Sequence, residues 1–244
     1  MRLIVLILSG FLCCSCTKVQ KQPVSYSHKL DTLSNGFLRG YLKDSIAVRS
    51  ILNPPPELST ELGQIDSMET MRFYLMDSIR KAQAVSDAKL STASFEEITG
   101  LPLSMEETPH AYVIMQRVIS DVIFYSAQAK YEFKRTRPYN QLEISSCWPE
   151  KESKTSYSYP SGHAMIGQSW AAIFSSLFPE HRDALIARGE DYALSRVVCG
   201  VHWYYDILAA KSLSGKLISD LLADEQFKHD LDSAQEEIAR LKMR

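Results

Sequence analysis

The spacing of apolar residues constrains this chain most. After residue 16, apolar side chains recur at three- and four-residue steps, the spacing of amphipathic helices, and no long stretch alternates strictly as a strand would. The pattern predicts helices over residues 108–135, 161–178, 180–198, 204–222 and 225–242. A further apolar stripe at helical spacing runs from Ile65 to Ala82. We therefore expect an all-α fold, a single-domain helical bundle.

The first sixteen residues form a segment of a different kind. Arg2 supplies one positive charge, residues 3–12 are almost all apolar and small residues follow, an order typical of a secretory signal peptide. The apolar run is too short to span a bilayer. Cys16, which precedes a polar tether, also fits a bacterial lipoprotein signal, although Cys13 stands where a leucine is usual. We expect export to the periplasm or the outer membrane, with Cys16 as the candidate for lipidation.

The rest of the chain divides into two parts. Residues 17–50 are expected to form a tether and a first helical segment, and residues 51–244 a helical domain that begins with a proline run at 54–56. Residues 136–158 are a long polar loop, and loops of this length in compact domains tend to be functional. No later run of eighteen apolar residues predicts a membrane span.

Composition limits the classes of partner. The 244 residues are 45% hydrophobic and 23% charged, with a formal net charge of −2, which is typical of a soluble globular protein. This balance disfavours nucleic acid as a partner, so any basic site must be built from a few local side chains. The amphipathic tail over residues 225–242 either mediates a homodimer or packs on its own domain.

Cys147 and Cys199 are the two cysteines that follow the leader. In an oxidising compartment two such residues often pair in a disulfide. The alternative is a pair of buried thiols, and the sequence leaves both open.

Lys130 and Arg137 are the first residues of chemical interest. They are seven residues apart, a spacing that places both on one face of a helix, and Pro138 then ends that helix. Two such cations can bind an anion, although alone they are better explained as a solvated basic face.

Ser161, Gly162 and His163 follow a proline at the predicted start of a helix. Ser161 is suited to cap that helix, and Gly162 lets a ligand approach the backbone closely. The free N–H groups of a first helical turn commonly bind phosphate. Alone, this block is a good helix start that carries a histidine.

Arg196, His202 and Asp206 form the third group. His202 and Asp206 are four residues apart, which suits a carboxylate that accepts from one imidazole nitrogen and leaves the other free as a nucleophile. Gly200 allows a bend that brings Arg196 and His202 toward one point. A lone pair of this kind is more often a structural hydrogen bond.

Taken together, the three groups read Lys-x6-Arg-Pro, Pro-Ser-Gly-His and Ser-Arg-x5-His-x3-Asp in order. This order resembles the signature of the acid phosphatase/vanadium haloperoxidase superfamily, also called the type 2 phosphatidic acid phosphatase superfamily. Eleven residues are specified, so chance agreement is negligible.

A closer resemblance is to the bacterial class A non-specific acid phosphatases, from about Ile51 to the C-terminus. Residues 158–163 and 195–203 match the pattern of that group, and Cys147 and Cys199 fall where its members tend to carry cysteines. The resemblance implies an exported acid phosphatase that acts on small phosphate monoesters with broad specificity.

The mechanism implied is a phosphohistidine on His202, with Asp206 holding its tautomer and His163 protonating the leaving alkoxide. The phosphate-binding residues would be Lys130, Arg137, Ser161, Gly162 and Arg196. Because three of these are cations, no metal or other cofactor is expected. A protonated His163 implies an activity maximum on the acid side, and vanadate is expected to inhibit.

Three other functions stay open. The same residues bind vanadate in haloperoxidases, which are generally much longer chains. Lipid phosphate phosphatases share the motif but span the membrane several times. An inactive envelope lipoprotein would be a protein of another class, and the retention of every motif residue disfavours it.

Overall fold

The structure is a computed structural model that describes residue 26, residues 30–34 and residues 36–243. The α-helices of this part are α1 (Val48–Ile51), α2 (Glu61–Tyr74), α3 (Ser78–Ser86), α4 (Ala93–Thr99), α5 (Pro109–Phe133), α6 (Gly162–Leu177), α7 (Arg182–Val198), α8 (Tyr204–Leu221) and α9 (Glu225–Lys242). Short 3-10 turns occupy Pro138–Asn140, Pro149–Lys151 and Pro179–His181. These residues contain no strand, only an isolated bridge between Thr32 and Leu38. The prediction of an all-α fold is confirmed.

Helices α6 to α9 begin and end close to their predicted positions. The Ser161 hydroxyl accepts the N–H of Ala164 at 3.3 Å and so caps α6, while a 3-10 turn at Pro179 separates α6 from α7. Helix α9 packs on α5 and buries Phe227 and Ile238. Of the two alternatives for the tail, the structure therefore shows packing on its own domain. None of the helices in the described ranges combines the length and apolarity needed to cross a bilayer.

The end of α5 differs from the prediction. The sequence pattern predicts a helix to residue 135 with Lys130 and Arg137 on one face. The helix instead ends at Phe133, where Lys134 adopts a left-handed conformation with φ of 50°. Arg137 lies beyond the helix in extended backbone. It therefore reaches the site of Lys130 from a separate segment.

The apolar stripe from Ile65 to Ala82 also differs, because it is divided between α2 and α3 and faces outward. Met68 is 64% exposed and Ile79 is 80% exposed. The face of α2 that is buried carries the polar residues Asp66 and Thr70. The prediction from the apolar periodicity was therefore wrong about which face of α2 packs against the rest of the domain.

Helix α6 lies at the centre of the fold and packs on α5, α7 and α8. Two glycines let α6 and α7 approach closely. A Cβ atom on Gly167 would lie 2.4 Å from the ring of Tyr192, and one on Gly189 would lie 2.5 Å from a side chain of α6. This tight pair places the beginning of α6, with His163, beside the end of α7, with Arg196.

Candidate active site

A cavity of about 430 Å³ lies where α5 and α7 end and where α6 and α8 begin. Residues from all three sequence motifs line it, namely Lys130, Arg137, Gly162, His163, Arg196 and His202. Ser161 and Asp206 lie behind this lining, and both are fully buried. The structure thus brings all eight predicted site residues to one place.

His202 is held from one side by the carboxylate of Asp206. The distance from His202 Nδ1 to Asp206 Oδ2 is 3.2 Å, and the same oxygen accepts the N–H of Trp203 at 3.0 Å. The other ring nitrogen, Nε2, lies 3.2 Å from Nη1 of Arg137. Since Arg137 can only donate, this contact assigns the hydrogen to Nδ1 and the lone pair to Nε2. That lone pair is directed at Arg137, and both residues line the cavity.

The bend at Gly200 makes this placement possible. Gly200 has a φ of +67°, in the left-handed region that favours glycine, and it follows directly after the end of α7. The chain then turns so that the carbonyl of Val201 accepts from Nη1 of Arg137 at 2.7 Å. His202 comes next, immediately before the start of α8.

The three cations of the cavity are held differently. Lys130 Nζ donates to the carbonyl of Tyr157 at 3.2 Å, and Arg137 Nε donates to the hydroxyl of Ser156 at 2.8 Å. Arg196 has no acceptor for Nε or Nη1 within the described residues, although both atoms are buried. Its guanidinium carbon lies 5.3 Å from the ring centroid of Trp148.

Burial and mutual repulsion lower the pKa values of these cations. Burial, together with repulsion from Arg137 and Arg196, lowers the pKa of Lys130 to about 8, while Asp206 acts in the opposite direction. Burial likewise lowers the pKa of Arg196 to about 10. An anion in the cavity would offset both effects, so the site is electrostatically suited to phosphate.

His163 has a hydrogen-bond partner outside the motifs. Its Nε2 lies 3.0 Å from the carbonyl oxygen of Ala88, so that nitrogen carries a hydrogen. Burial lowers the pKa of His163 to about 4, with contributions from Arg196, Lys130 and Arg137, whereas the Ala88 carbonyl raises it. The negative charge of a bound phosphate would favour the protonated imidazole and so raise the pKa of His163.

The beginning of α6 supplies backbone donors. Ser161 uses its hydroxyl to cap the helix and lies outside the cavity lining, so direct contact of this hydroxyl with phosphate stays a prediction. Gly162 and His163 open the first turn, where N–H groups have no intrahelical acceptor. A helix start of this kind favours an anion.

Cys147 and Cys199 are joined in a disulfide, which is one of the two alternatives that the sequence leaves open. The N–H of Cys147 also donates to the carbonyl of Cys199 at 3.0 Å. These links attach the long polar loop to the end of α7. They bring Trp148 over Arg196.

Sequence reasoning missed several residues that support the site. Trp148, Ala88 and Asp66 belong to none of the motifs, and no local pattern singles them out. Arg135 lies within the first motif block, where it passes for a surface charge, yet it binds the carboxylate of Asp206 at 2.8 Å. Within the described ranges, no three His, Cys, Asp or Glu side chains cluster as a metal site would require. Cys16 and the leader lie outside the described residues.

Comparison with known proteins agrees with this geometry. Residues 111–219, which include all eight residues predicted for catalysis and phosphate binding, match the PAP2 superfamily. The non-specific acid phosphatase of Providencia stuartii is 32% identical over 212 residues, covering 83% of this chain and 86% of that protein. The acid phosphatase of Zymomonas mobilis is 31% identical over 197 residues, covering 78% and 74%. The non-specific acid phosphatase of Salmonella typhimurium is 29% identical over 204 residues, covering 80% and 82%.

Among solved structures, the transmembrane PAP2-type phosphatidylglycerolphosphate phosphatase of Bacillus subtilis aligns with a TM-score of 0.47 and 18% identity. The alignment covers 66% of this chain and 85% of that one, a likeness too distant to support a conclusion about activity. The family match and the relatives, which align over most of their own length, together establish the family of this chain. This chain belongs to the bacterial class A non-specific acid phosphatases of the PAP2 superfamily.

Proposed function

We propose that this acid phosphatase hydrolyses small phosphate monoesters through a covalent phosphohistidine on His202, without a metal ion. The observation that carries the proposal is the orientation of the His202 ring. Nδ1 faces the buried carboxylate of Asp206 at 3.2 Å, and Nε2 lies 3.2 Å from Arg137, one of the cations that line the cavity. A nucleophile with its second nitrogen fixed in this way is suited to in-line attack on phosphorus.

The residues permit a two-step reaction. A phosphate dianion would lie among Lys130, Arg137 and Arg196, which supply the positive charge that a metal ion supplies elsewhere. Nε2 of His202 attacks phosphorus, the bond to the ester oxygen breaks, and His163 gives its proton to the departing alkoxide. Water then attacks the phosphorus of phosphohistidine, His163 takes a proton from that water, and the phosphorus–nitrogen bond breaks to release phosphate.

The same chemistry supports an acid pH optimum. His163 must be protonated to act as the acid, and burial, with repulsion from the nearby cations, lowers its pKa to about 4. Bound substrate raises that value because its negative charge offsets Arg196, Lys130 and Arg137. Activity is therefore expected to fall as the pH rises past the pKa of His163 in the complex.

Broad specificity is supported by the cavity wall beyond the phosphate-binding residues. That wall includes the apolar residues Leu90, Val122 and Ile166 and the aromatic residues Tyr139 and Trp148. The apolar and aromatic part of this wall can accept many leaving groups by shape, and the polar side chains beside it are Ser126, Ser146, Ser156 and Lys151.

The nucleophile is tested with His202→Ala on an aryl phosphate, with His181→Ala as the control on a histidine outside the cavity lining. We expect His202→Ala to abolish turnover and also labelling by a radioactive phosphate ester after an alkaline quench, which preserves the acid-labile phosphorus–nitrogen bond, and His181→Ala to preserve both. His202→Ala activity within tenfold of wild type would overturn the assignment. EDTA should leave the wild-type rate intact, and a loss restored by zinc or magnesium would overturn the metal-free mechanism.

We also propose that the enzyme is exported and anchored through Cys16. The apolar leader supports export, and the Cys147–Cys199 disulfide fits an oxidising compartment. Expression of the full chain with Cys16→Ala, followed by cell fractionation and mass spectrometry, tests both parts. Activity of wild type in the cytoplasmic fraction would refute export, and an unmodified wild-type Cys16 would refute the anchor.

A further inference from the structure

A chain of buried charged groups lies behind the nucleophile. Arg135 donates from Nη1 to Asp206 Oδ1 at 2.8 Å and from Nη2 to Asp66 Oδ2 at 2.5 Å. The side chains of Arg135, Asp66 and Asp206 are 7%, 2% and 0% exposed. Arg135 and Asp66 are not part of the cavity lining, so they can influence the reaction only through Asp206 and His202.

From this arrangement we propose that Arg135 and Asp66 are positioning residues for phosphoryl transfer. Arg135 fixes one oxygen of Asp206, so that the other oxygen stays on His202, and Asp66 holds Arg135 in place. The inference rests on the proposed function, because it assigns the two residues a part in nucleophilic attack by His202.

The first support is orientation. A carboxylate rotates readily about its last torsion, and Asp206 could present either oxygen to His202 if it were held at only one end. Arg135 binds Oδ1, while the N–H of Trp203 and Nδ1 of His202 share Oδ2. The guanidinium of Arg135 also lies 4.8 Å from the ring centroid of Trp203, which limits its own movement. The carboxylate is therefore held at both oxygens.

The second support is charge. With both carboxylates ionised, Asp66 and Asp206 oppose the single positive charge of Arg135 and leave one negative charge behind His202, although burial raises the pKa of Asp66. Attack on phosphorus makes the imidazole of His202 more positive, so this charge stabilises the transition state. Lys130 and Arg137 act on Asp206 from the cavity side, and Tyr159 and Tyr205 are further titratable groups close to this cluster.

The third support is the connection to α2. Asp66 Oδ1 accepts the N–H of Tyr205 at 2.7 Å, and the Thr70 hydroxyl accepts the N–H of Tyr204 at 2.9 Å. Two side chains of α2 thus bind the first N–H groups of α8, next to Asp206. Helix α2 lies outside the superfamily match over residues 111–219, yet its buried polar face supports the nucleophile.

Arg135→Met is the decisive variant, and it should be measured as a pre-steady-state burst on an aryl phosphate. We expect the burst rate to fall about 10- to 100-fold, the range seen when a partner that orients a functional histidine is lost. KM should stay within threefold, because Arg135 lies outside the cavity. Arg135→Lys should restore only part of the rate, since an ammonium cannot span two carboxylates as a planar guanidinium does.

The pH profile separates a positioning role from a purely structural one. Without Arg135, Asp66 and Asp206 are two buried like charges, and the pair will keep one proton up to a higher pH. The acid limb of the burst rate should therefore move to higher pH in Arg135→Met. The double variant Arg135→Met/Asp66→Asn, which removes the repulsion, should move the limb back.

Arg117→Met is the matched control. Arg117 is also buried and lies on α5, thirteen residues before Lys130, or about 20 Å along the helix. This variant should lower stability without changing the pH profile. If Arg135→Met does not fold, Asp66→Asn tests the inference instead. This variant preserves the shape of the side chain and the acceptor for the N–H of Tyr205. Its burst rate should fall about tenfold.

A burst rate within threefold of wild type and an unchanged acid limb, in Arg135→Met or else in Asp66→Asn, would overturn the inference. The same would follow if Arg117→Met changed the pH profile as Arg135→Met does. Failure of the proposed function is distinct, since the wild type would then show no burst or His202→Ala would retain it.

Discussion

Arg196→Met should make this protein less active and more stable. Arg196 is buried with two nitrogen atoms, Nε and Nη1, whose N–H groups find no acceptor in the described ranges. Burial lowers its pKa to about 10, which shows that the folded protein disfavours its charge. The free-energy cost of burying this guanidinium is expected to be offset only when an anion is bound.

The two effects can be sized from these groups. Each charge-assisted hydrogen bond to phosphate contributes about 1.5–3 kcal/mol, so the loss of two amounts to roughly 3–6 kcal/mol. At about 1.4 kcal/mol for each factor of ten, kcat/KM should fall by about 10² to 10⁴. Replacing the unsatisfied guanidinium of Arg196 with an apolar chain of similar length should raise the free energy of unfolding by roughly 1–3 kcal/mol.

The assay combines aryl phosphate kinetics with thermal unfolding, with and without inorganic phosphate. Phosphate at 100 times its Kd should stabilise the wild type by about 2.7 kcal/mol, and the same concentration should stabilise Arg196→Met far less. Arg240→Met, at an exposed arginine of α9, is the control and should change neither property. A variant at position 196 that keeps kcat/KM within tenfold, or that unfolds below the wild type, would refute the reasoning.

Three further outcomes are expected. Trp148→Leu should weaken phosphate inhibition by roughly 2- to 30-fold, since a cation–π contact holds Arg196, and an unchanged inhibition constant would contradict this role. Cys147→Ser/Cys199→Ser opens a loop of 52 residues and should cost about 4 kcal/mol in denaturant unfolding, which an unchanged midpoint would disprove. Phosphate inhibition should weaken as the pH rises through about 8, because the pKa of Lys130 is lowered to about 8 and the side chain then loses its charge. Lys130→Arg should remove this pH dependence. If wild type and Lys130→Arg show the same pH dependence, Lys130 is not its source.

Local signals were sufficient for α6 and α9. Ser161 is a good N-cap followed by an apolar run, and Pro179 stops the run, so both ends of α6 are marked by neighbouring residues. The amphipathic spacing of α9 coincides with its observed bounds, Glu225–Lys242. Where the chemistry of a few adjacent residues decides an element, the sequence alone predicts it.

Local signals failed where a distant partner decides. Arg135 binds carboxylates on Asp66 and Asp206, which are 69 and 71 positions away in the chain. A buried Asp on α2 contradicts the apolar periodicity of that helix, and only the start of α8 explains why it faces inward. Likewise, no spacing rule connects Trp148 with Arg196. These contacts depend on the assembled fold, and the sequence contains no local trace of them.

Adjacent residues of α7 show how the fold separates its structural charges from its functional ones. The Ser195 hydroxyl donates to Asp87 at 2.5 Å, and Arg188 pairs with the same carboxylate, so these groups satisfy one another and attach α7 to the end of α3. Arg196, one residue further, forms no ion pair with a carboxylate among the described residues, and its guanidinium lies over the ring of Trp148. We therefore propose that Arg196, unlike Arg188, is kept for the substrate phosphate, which would accept its N–H groups.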